Sequence, residues 1–365
     1  MWTLQTGGTG FVGKQVLRGL LNNGHKVVVL IRAKTSHEAA KKWHHQIYDK
    51  LPLDQMPQVL YAHGDLFDLT TCERFAYSEG IKRIVHCAGD VSFGPHNQCH
   101  HVNVNGLRNL LDLTRKYSVE EFHHVSTAYV CGAVQGSVYE LRRNEFATAK
   151  FKNAYEKSKH DAELLVYKNS VLCPWLHTTI YRPTVVVGSE VNGATTCFNG
   201  FYQLVRAAWN LSKACHSGLI TDKQIRLPFT GLECVNLVPV DHVSRVINHV
   251  VSNPEHQRKI YHVTPSQPMN AFKVMTALLG YFREKMYKLP EVVPVGSIAR
   301  KKMTTLEKML EVWLGPYAPY FATDPSFNTD NTDAAILGKY ILSEEVFIPR
   351  IVEYAIATNF GRNRL

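Results

Sequence analysis

The chain has 365 residues, of which 45% are hydrophobic, 20% charged and 10% aromatic. That is a globular composition, which excludes a disordered or fibrous chain and leaves room for one large or two ordinary domains. Forty-one Lys and Arg against 31 Asp and Glu give +10 with histidines neutral, and no run of five or six like charges occurs. A nucleic-acid-binding tail is therefore not expected, and the excess is left for anionic lipid, a phosphorylated cofactor or diffuse surface charge. The eight cysteines (Cys72, Cys87, Cys99, Cys131, Cys173, Cys197, Cys215 and Cys234) form no CxxC, and several sit in apolar segments. Met1–Thr6 runs straight into glycines, with no room for a signal peptide, and no apolar run reaches the length of a membrane span. The expectation is a soluble, reduced, cytoplasmic protein.

In chain order, the first 190 residues alternate short apolar runs with longer amphipathic ones. Val27–Ile31, Arg83–Cys87 and Glu121–Ser126 read as strands, while 12–23, 97–117 and 153–169 read as helices. A further strand, Thr178–Arg182, leads into Pro183. After Gly188 the rhythm breaks. Residues 191–232 read as loop, helix and loop; 233–265 return to strand, helix and strand, with Asp241 placed to cap the helix. From 270 the chain is mostly helical, interrupted by a Pro/Tyr/Asn-rich stretch at 315–333. Near-continuous apolar strands alternating with helices imply an α/β fold, a Rossmann doubly wound parallel sheet covered on both faces. That core takes 1–190 and about 233–268. A smaller, mainly helical substrate lobe takes 191–232 and 269–365.

Thr6-Gly7-Gly8-Thr9-Gly10-Phe11-Val12-Gly13 follows a short strand and opens a helix. The glycines permit a tight turn and close approach of backbone to a pyrophosphate, and the helix N-terminus supplies donors. A glycine-rich turn without ligand would look similar; the strand–loop–helix context is what favours a dinucleotide. The second strand ends Ile31-Arg32-Ala33-Lys34, with no carboxylate before Glu38. A carboxylate there would accept from a ribose hydroxyl, whereas a guanidinium pairs with a 2′-phosphate. Arg32 thus points to NADP(H), with Lys34 or the pair Lys41-Lys42 as second cations. His63-Gly64-Asp65-Leu66, at the end of the third strand, is placed to meet the adenine.

Tyr155-Glu156-Lys157-Ser158-Lys159 sets Tyr155 and Lys159 on one helical face. An ammonium beside a phenol is expected to lower its pKa and make it a proton donor or acceptor at neutral pH. The pair lies 28 residues after Thr127, itself at the C-terminal end of a strand, where open α/β sheets bind ligands. Glycine loop, hydroxyl, tyrosine and lysine in this order form a far more specific set than any one of them.

With His86-Cys87-Ala88-Gly89, Asn103-Val104-Asn105-Gly106 and Arg182-Pro183-Thr184, the chain resembles an extended short-chain dehydrogenase/reductase over about residues 1–265. Leu30–Ala33, Val125–Val130, Asn236–Val243 and, more loosely, Phe327–Thr332 with Leu337-Gly338 are similar to its thioester reductase and fatty acyl-CoA reductase branch. The resemblance implies Thr127 as catalytic hydroxyl, Tyr155 as general acid and Lys159 as its partner, also holding the nicotinamide ribose. Ala88 and Pro183, on this view, face the cofactor. It implies reduction of an acyl thioester by NADPH, with the hemithioacetal collapsing to thiol and aldehyde, and a second reduction giving alcohol. The acyl carrier is coenzyme A or an acyl or peptidyl carrier protein in trans, since no carrier module is attached; a basic surface suits an acidic carrier. Asp90 departs from the branch, which has an apolar residue there. Alternatives remain: a reductase of a ketone or steroid-like alcohol, a nucleotide-sugar enzyme (against which Arg32 counts), or an NADP(H) sensor (against which Tyr155 and Lys159 count).

The cluster His96, Cys99, His100 and His101 matches no zinc spacing, so no metal is expected. His123 and His124 lie in a strand with one side chain packed. Phe198, Phe201, Tyr202 and Trp209 recur at helical spacing and read as core, with one or two lining an acyl channel. The basic, then amphipathic 301–321 reads as packed lobe rather than a membrane or partner contact.

Overall fold

Seven β-branched-rich segments pair in parallel into one sheet. They are β1 (Trp2–Thr6), β2 (Lys26–Arg32), β3 (Val59–Gly64), β4 (Ile81–His86), β5 (Glu121–Val125), β6 (His177–Pro183) and β7 (Ile260–Val263), in the order β7-β6-β5-β4-β1-β2-β3. The computed structural model describes all residues except 93–95, 142–149, 221–222, 228–229, 286–288, 315–319, 321–324 and 363–365. Strand order reverses between β1 and β4, and the crevice at their C-terminal ends is where such sheets take ligands.

The strands are apolar on both faces because both faces are covered. On one side α1 (Phe11–Asn22), α2 (Ser36–Gln46) and a later helix, Val240–Ser252, bury Val16, Leu17, Leu20, Trp43, Val246 and Val250 against Val27, Val29 and Ile31. On the other, α3 (Thr70–Ser78), α5 (Leu107–Lys116) and α6 (Ala154–Leu172) pack Leu110, Leu111, Ala162 and Val166 against Leu4, Val28, Ile84 and Phe122. Between α3 and α5 the chain forms a short helix α4 (His96–His100) and one π-helical turn, His101–Gly106. A buried, forked ion pair ties α6 to β6: Arg182 Nη2 donates to Glu163 Oε2 at 2.7 Å and Nε to Oε1 at 3.0 Å.

A separate core is formed by α7 (Phe201–His216), α9 (Ala271–Glu284), α10 (Thr305–Leu314) and the last helix, Glu344–Ala357; the helix Val240–Ser252 is α8. Phe201 and Tyr202 are buried in this second core, with Phe198 and Trp209 packed against it.

Two expectations are corrected. The stretch read as loop after α7 contains a strand, Gln224–Leu227, paired in parallel with Glu291–Pro294. Four residues with polar alternate positions give no usable period, and the partner is far along the chain. Asp241 does not cap α8, whose N-cap is Pro239; its carboxylate accepts from Ser189 Oγ and Glu190 N, both at 2.8 Å, fastening the preceding loop to the helix. No helix among the described residues is long and apolar enough to cross a membrane, and all eight cysteines are free thiols.

Candidate functional site

The glycine loop is fitted against the β1–β4 switch point so closely that side chains have no place in it. Gly7 adopts φ +69°, and a Cβ on it would lie 2.6 Å from Ala88 N. A Cβ on Gly13 would lie 2.1 Å from Gly7 O, the oxygen that accepts from Gly10 N at 2.9 Å. Gln5 Nε2 donates to Gly13 O at 2.7 Å, holding strand and helix together from below. The N-cap of α1, Gly10, offers no side-chain hydrogen bond, and the first turn carries no acid. Its N–H groups are thus left for an outside anion, at the positive end of the helix dipole. A loop whose glycine Cβ atoms would collide, ending on an uncapped helix, fits a pyrophosphate, with Thr9, Phe11 and Val12 along it.

At the end of β2, Arg32 is exposed, and among the described residues its guanidinium has no ion-pair partner. The expected second cation fares differently. Lys42 Nζ donates to Arg32 O at 2.8 Å and to Glu38 Oε1 at 2.6 Å, so it is spent on the loop itself. Glu38 folds back to accept from Lys34 N at 3.0 Å, and the Lys42 ammonium holds its carboxyl below the usual carboxylate range. Asp65 Oδ1 accepts from Phe67 N and Asp68 N at 2.7 and 3.0 Å, shaping the turn after β3. Leu66 is buried beside Gly106. Ala88, at the end of β4, donates its N–H to Thr6 Oγ1 at 3.2 Å.

Past β5 the structure brings Thr127, Tyr155 and Lys159 together. Thr127 is 3% exposed; its Oγ1 lies 3.4 Å from Pro183 O and is hydrogen-bonded to Tyr155. Lys159 is 5% exposed and donates from Nζ to Val125 O at 2.9 Å. Burial lowers Lys159 to about 8, so most of it is charged at neutral pH. Tyr155 departs from expectation. Burial raises its phenol to about 12, against the hydrogen bond from Thr127, and Lys159 is not among the causes. Desolvation of the phenolate outweighs any nearby ammonium, leaving a phenol that holds its proton.

Beside this set, residues quoted in the sequence make contacts that the sequence did not foretell. Asn103, carried by the π-helical turn, donates from Nδ2 to Ser158 Oγ at 2.8 Å and to Asp90 O at 2.9 Å, and accepts at Oδ1 from Asp90 N at 2.7 Å. A Cβ on Gly89 would press to 3.1 Å on both Asn103 Oδ1 and Lys159 Nζ, so the loop after β4 and α6 meet through a glycine. Asp90 itself turns its carboxylate back onto Ser92 N at 2.8 Å. Below, His86 and His124 stack at 5.3 Å. Burial, reinforced by Lys159, pushes His86 down to about 3 and His124 well below the ordinary imidazole range, so both are neutral. His86 Nδ1 pairs with Thr6 Oγ1 at 2.7 Å, while both His124 nitrogens and Ser126 Oγ are buried without a partner among the described residues.

Both His123 and His124 are buried, rather than one of them. Cys99 is a buried thiol donating to Ser92 O, and His101 stacks on Phe67 at 4.2 Å. Among the described residues no group of three or more His, Cys, Asp or Glu gathers to hold a metal. Of the 301–321 stretch, α10 is described, while residues 315–319 and 321 lie outside the described residues.

Comparison with known proteins gives the family. Residues 6–247 match an NAD-binding family described as "Male sterility protein". The chain is 25% identical over 280 residues to the nonribosomal peptide synthetase asaC of Aspergillus flavus, covering 72% of this chain and 26% of that protein. It is 26% identical over 305 residues to the L-2-aminoadipate reductase large subunit of Penicillium chrysogenum, covering 76% of this chain and 20% of that one. It therefore spans about a quarter or less of these relatives. Among solved structures, the terminal R domain from the myxalamid PKS-NRPS pathway superposes with a TM-score of 0.75 at 23% identity, over 99% of this chain and 92% of that one. The glycine loop, the Tyr155–Lys159 helix and the matched segment together place the chain in the Male sterility protein family, within the extended short-chain dehydrogenase/reductases.

Proposed function

We propose that the chain is an NADPH-dependent reductase of acyl thioesters, carried by coenzyme A or by an acyl or peptidyl carrier protein in trans, releasing aldehyde or, after a second reduction, alcohol. The observation that carries this reading is the buried Tyr155 hydroxyl, hydrogen-bonded to Thr127 and carried on the same helix, one turn before the buried Lys159. Gly7, Thr9, Gly10, Phe11, Val12 and Gly13 would hold the pyrophosphate, Arg32 the 2′-phosphate, and Asp65 and Leu66 the adenine end. Ala88, Lys159 and Pro183 would face the nicotinamide half. NADPH, when bound, supplies the hydride.

The chain's own residues do the rest. Tyr155 and Thr127 donate hydrogen bonds to the thioester oxygen as charge develops on it, and Tyr155 gives up its proton. The hemithioacetal then loses thiol, so that thioester, NADPH and one proton become aldehyde, thiol and NADP⁺. Lys159 opposes the negative charge left on the phenol. The relatives support the substrate class: a nonribosomal peptide synthetase, an aminoadipate reductase and a terminal R domain. The +10 balance suits an acidic carrier, and eight free thiols suit a reducing, cytoplasmic setting.

The test is NADPH oxidation against acyl-CoA thioesters, acyl carrier protein thioesters, aldehydes, ketones and nucleotide sugars. Thioester-dependent oxidation with stoichiometric free thiol supports the proposal. Activity on ketones alone, or on nucleotide sugars alone, overturns it.

A further inference from the structure

The first turn of α6 carries Tyr155, and a residue from much later in the chain closes it. Asn153 is the N-cap, accepting at Oδ1 from Glu156 N at 3.0 Å; Glu156 reaches back with Oε2 to Lys152 N at 2.9 Å. This resembles a capping box, except that Glu156 reaches the N–H of the residue before the N-cap rather than that of the N-cap itself. The Tyr320 hydroxyl is set into it, donating to Glu156 Oε1 at 2.7 Å and accepting from Asn153 Nδ2 at 2.7 Å, across 164 residues of chain. The Tyr320 ring meets Tyr129 edge-to-face at 4.9 Å, and Tyr129 is two residues past Thr127. The Lys152 ammonium lies 4.4 Å from the Tyr320 ring centre and 5.4 Å from that of Tyr129; its Nζ is buried and has no hydrogen-bond acceptor among the described residues. Two π faces take its charge.

We propose that Tyr320 is a positioning residue: with its hydroxyl seated on the first turn of α6 and its ring against Tyr129, it holds the Tyr155 turn and the Thr127 loop in register. This rests on Tyr155 being the proton donor. The chemistry of Glu156 makes the contact more than packing. Glu156 is fully buried, next to Tyr155, and faces Lys152 and Tyr155 on its own side and Tyr320 across. Burial raises its carboxyl, while the donors from Tyr320 and Lys152 oppose the rise. Its negative charge in turn raises Tyr155, keeping the phenol protonated. Losing the Tyr320 hydroxyl moves Glu156 further toward its neutral form and slackens the turn.

Tyr320→Phe in the full chain keeps the ring, its contact with Tyr129 and the face under Lys152, and removes the hydroxyl alone. The expected result is a kcat lower by about tenfold or more with the KM for NADPH unchanged, as for a misplaced reacting group. The acid limb of the kcat profile moves to higher pH, and amide exchange across 154–158 quickens. In a Glu156→Gln background, which has no carboxyl to titrate, Tyr320→Phe leaves the acid limb where it was. Wild-type kcat and unchanged exchange in Tyr320→Phe overturn the inference. So does a loss of activity that matches a loss of folded protein. A wild-type chain that reduces no thioester refutes instead the reading it rests on, and the exchange measurement still decides the positioning.

Discussion

Replacing Gly13 by alanine tests the cofactor cradle through a single methyl group. The added Cβ would stand 2.1 Å from Gly7 O, 2.8 Å from Gly7 C and 3.3 Å from Cys87 Cβ. Ordinary contact needs the first of these to open by roughly 1 Å. Gly7 is itself hemmed in, since even a Cβ placed on it would lie 2.6 Å from Ala88 N and 2.7 Å from Cys87 C. The start of α1 must move instead, against Gln5 Nε2 and the sheet. Overpacking of this kind costs about 1–3 kcal/mol of stability. The same displacement lengthens the helix N–H contacts to a pyrophosphate, and losing one such charged-acceptor bond removes about 1.5–3 kcal/mol of binding. NADPH affinity should therefore fall by about ten- to a hundredfold, since 1.4 kcal/mol is tenfold. Fluorescence titration with NADPH reads the affinity and a thermal melt reads the stability. Gly10→Ala is the control: its Cβ meets only Gly7 O, at 3.1 Å, and the loss should be smaller. Equal NADPH affinity in Gly13→Ala and wild type would refute the assignment of this loop to the pyrophosphate.

Tyr155→Phe removes one hydroxyl and should lower kcat by about 10²–10⁴-fold while NADPH binding holds; full turnover in this variant would take Tyr155 out of the mechanism. Arg32→Asp should weaken NADPH far more than NADH, measured as the ratio of their dissociation constants, because a carboxylate repels the 2′-phosphate and accepts from a hydroxyl. An unchanged ratio would remove Arg32 from that role. Lys159 gives a pH signature without cofactor. Its folded value, about 8, lies below the 10.5 of a free lysine, so the unfolded chain holds more protons between these values. Stability of the wild type relative to Lys159→Met should therefore rise as pH climbs from about 8 toward 10.5; a flat difference in melting midpoint across that range would contradict a buried ammonium.

The sheet was legible because strands covered on both faces are apolar almost throughout: Val27–Ile31 could pair nowhere else. The glycine loop and the Tyr155–Lys159 spacing were legible because local geometry dictates them. What escaped the sequence depends on distance or on burial. The strand Gln224–Leu227 is defined by a partner near residue 291. Asp241 looked like a cap because Asp near a helix start often is one, but the Ser189 hydroxyl and Glu190 N–H, brought beside it by the fold, claim its carboxylate. Asn103 lay in a quoted motif, yet only the π-helical turn aims it at Ser158 and the Asp90 backbone. Tyr320 had no signal at all, since its partners Asn153 and Glu156 are more than 160 residues earlier.

Burial raises the Tyr155 phenol to about 12, so at neutral pH it holds a proton that a carbonyl oxygen could draw on as it becomes negative. A catalyst serves both directions of its reaction through the same groups, so this shift describes the resting donor and leaves the direction to the substrates. His86 and His124 lie close enough to Lys159 to feel its charge and stay neutral, so they offer no competing acid. Lys159 keeps most of its charge at pH 7. Glu156, held by the Tyr320 hydroxyl and Lys152 N–H, lies next to Tyr155 and adds to the rise of its phenol, behind burial. On the reading proposed above, Tyr155 is thus a donor kept protonated first by burial and then by Glu156, as carbonyl reduction requires.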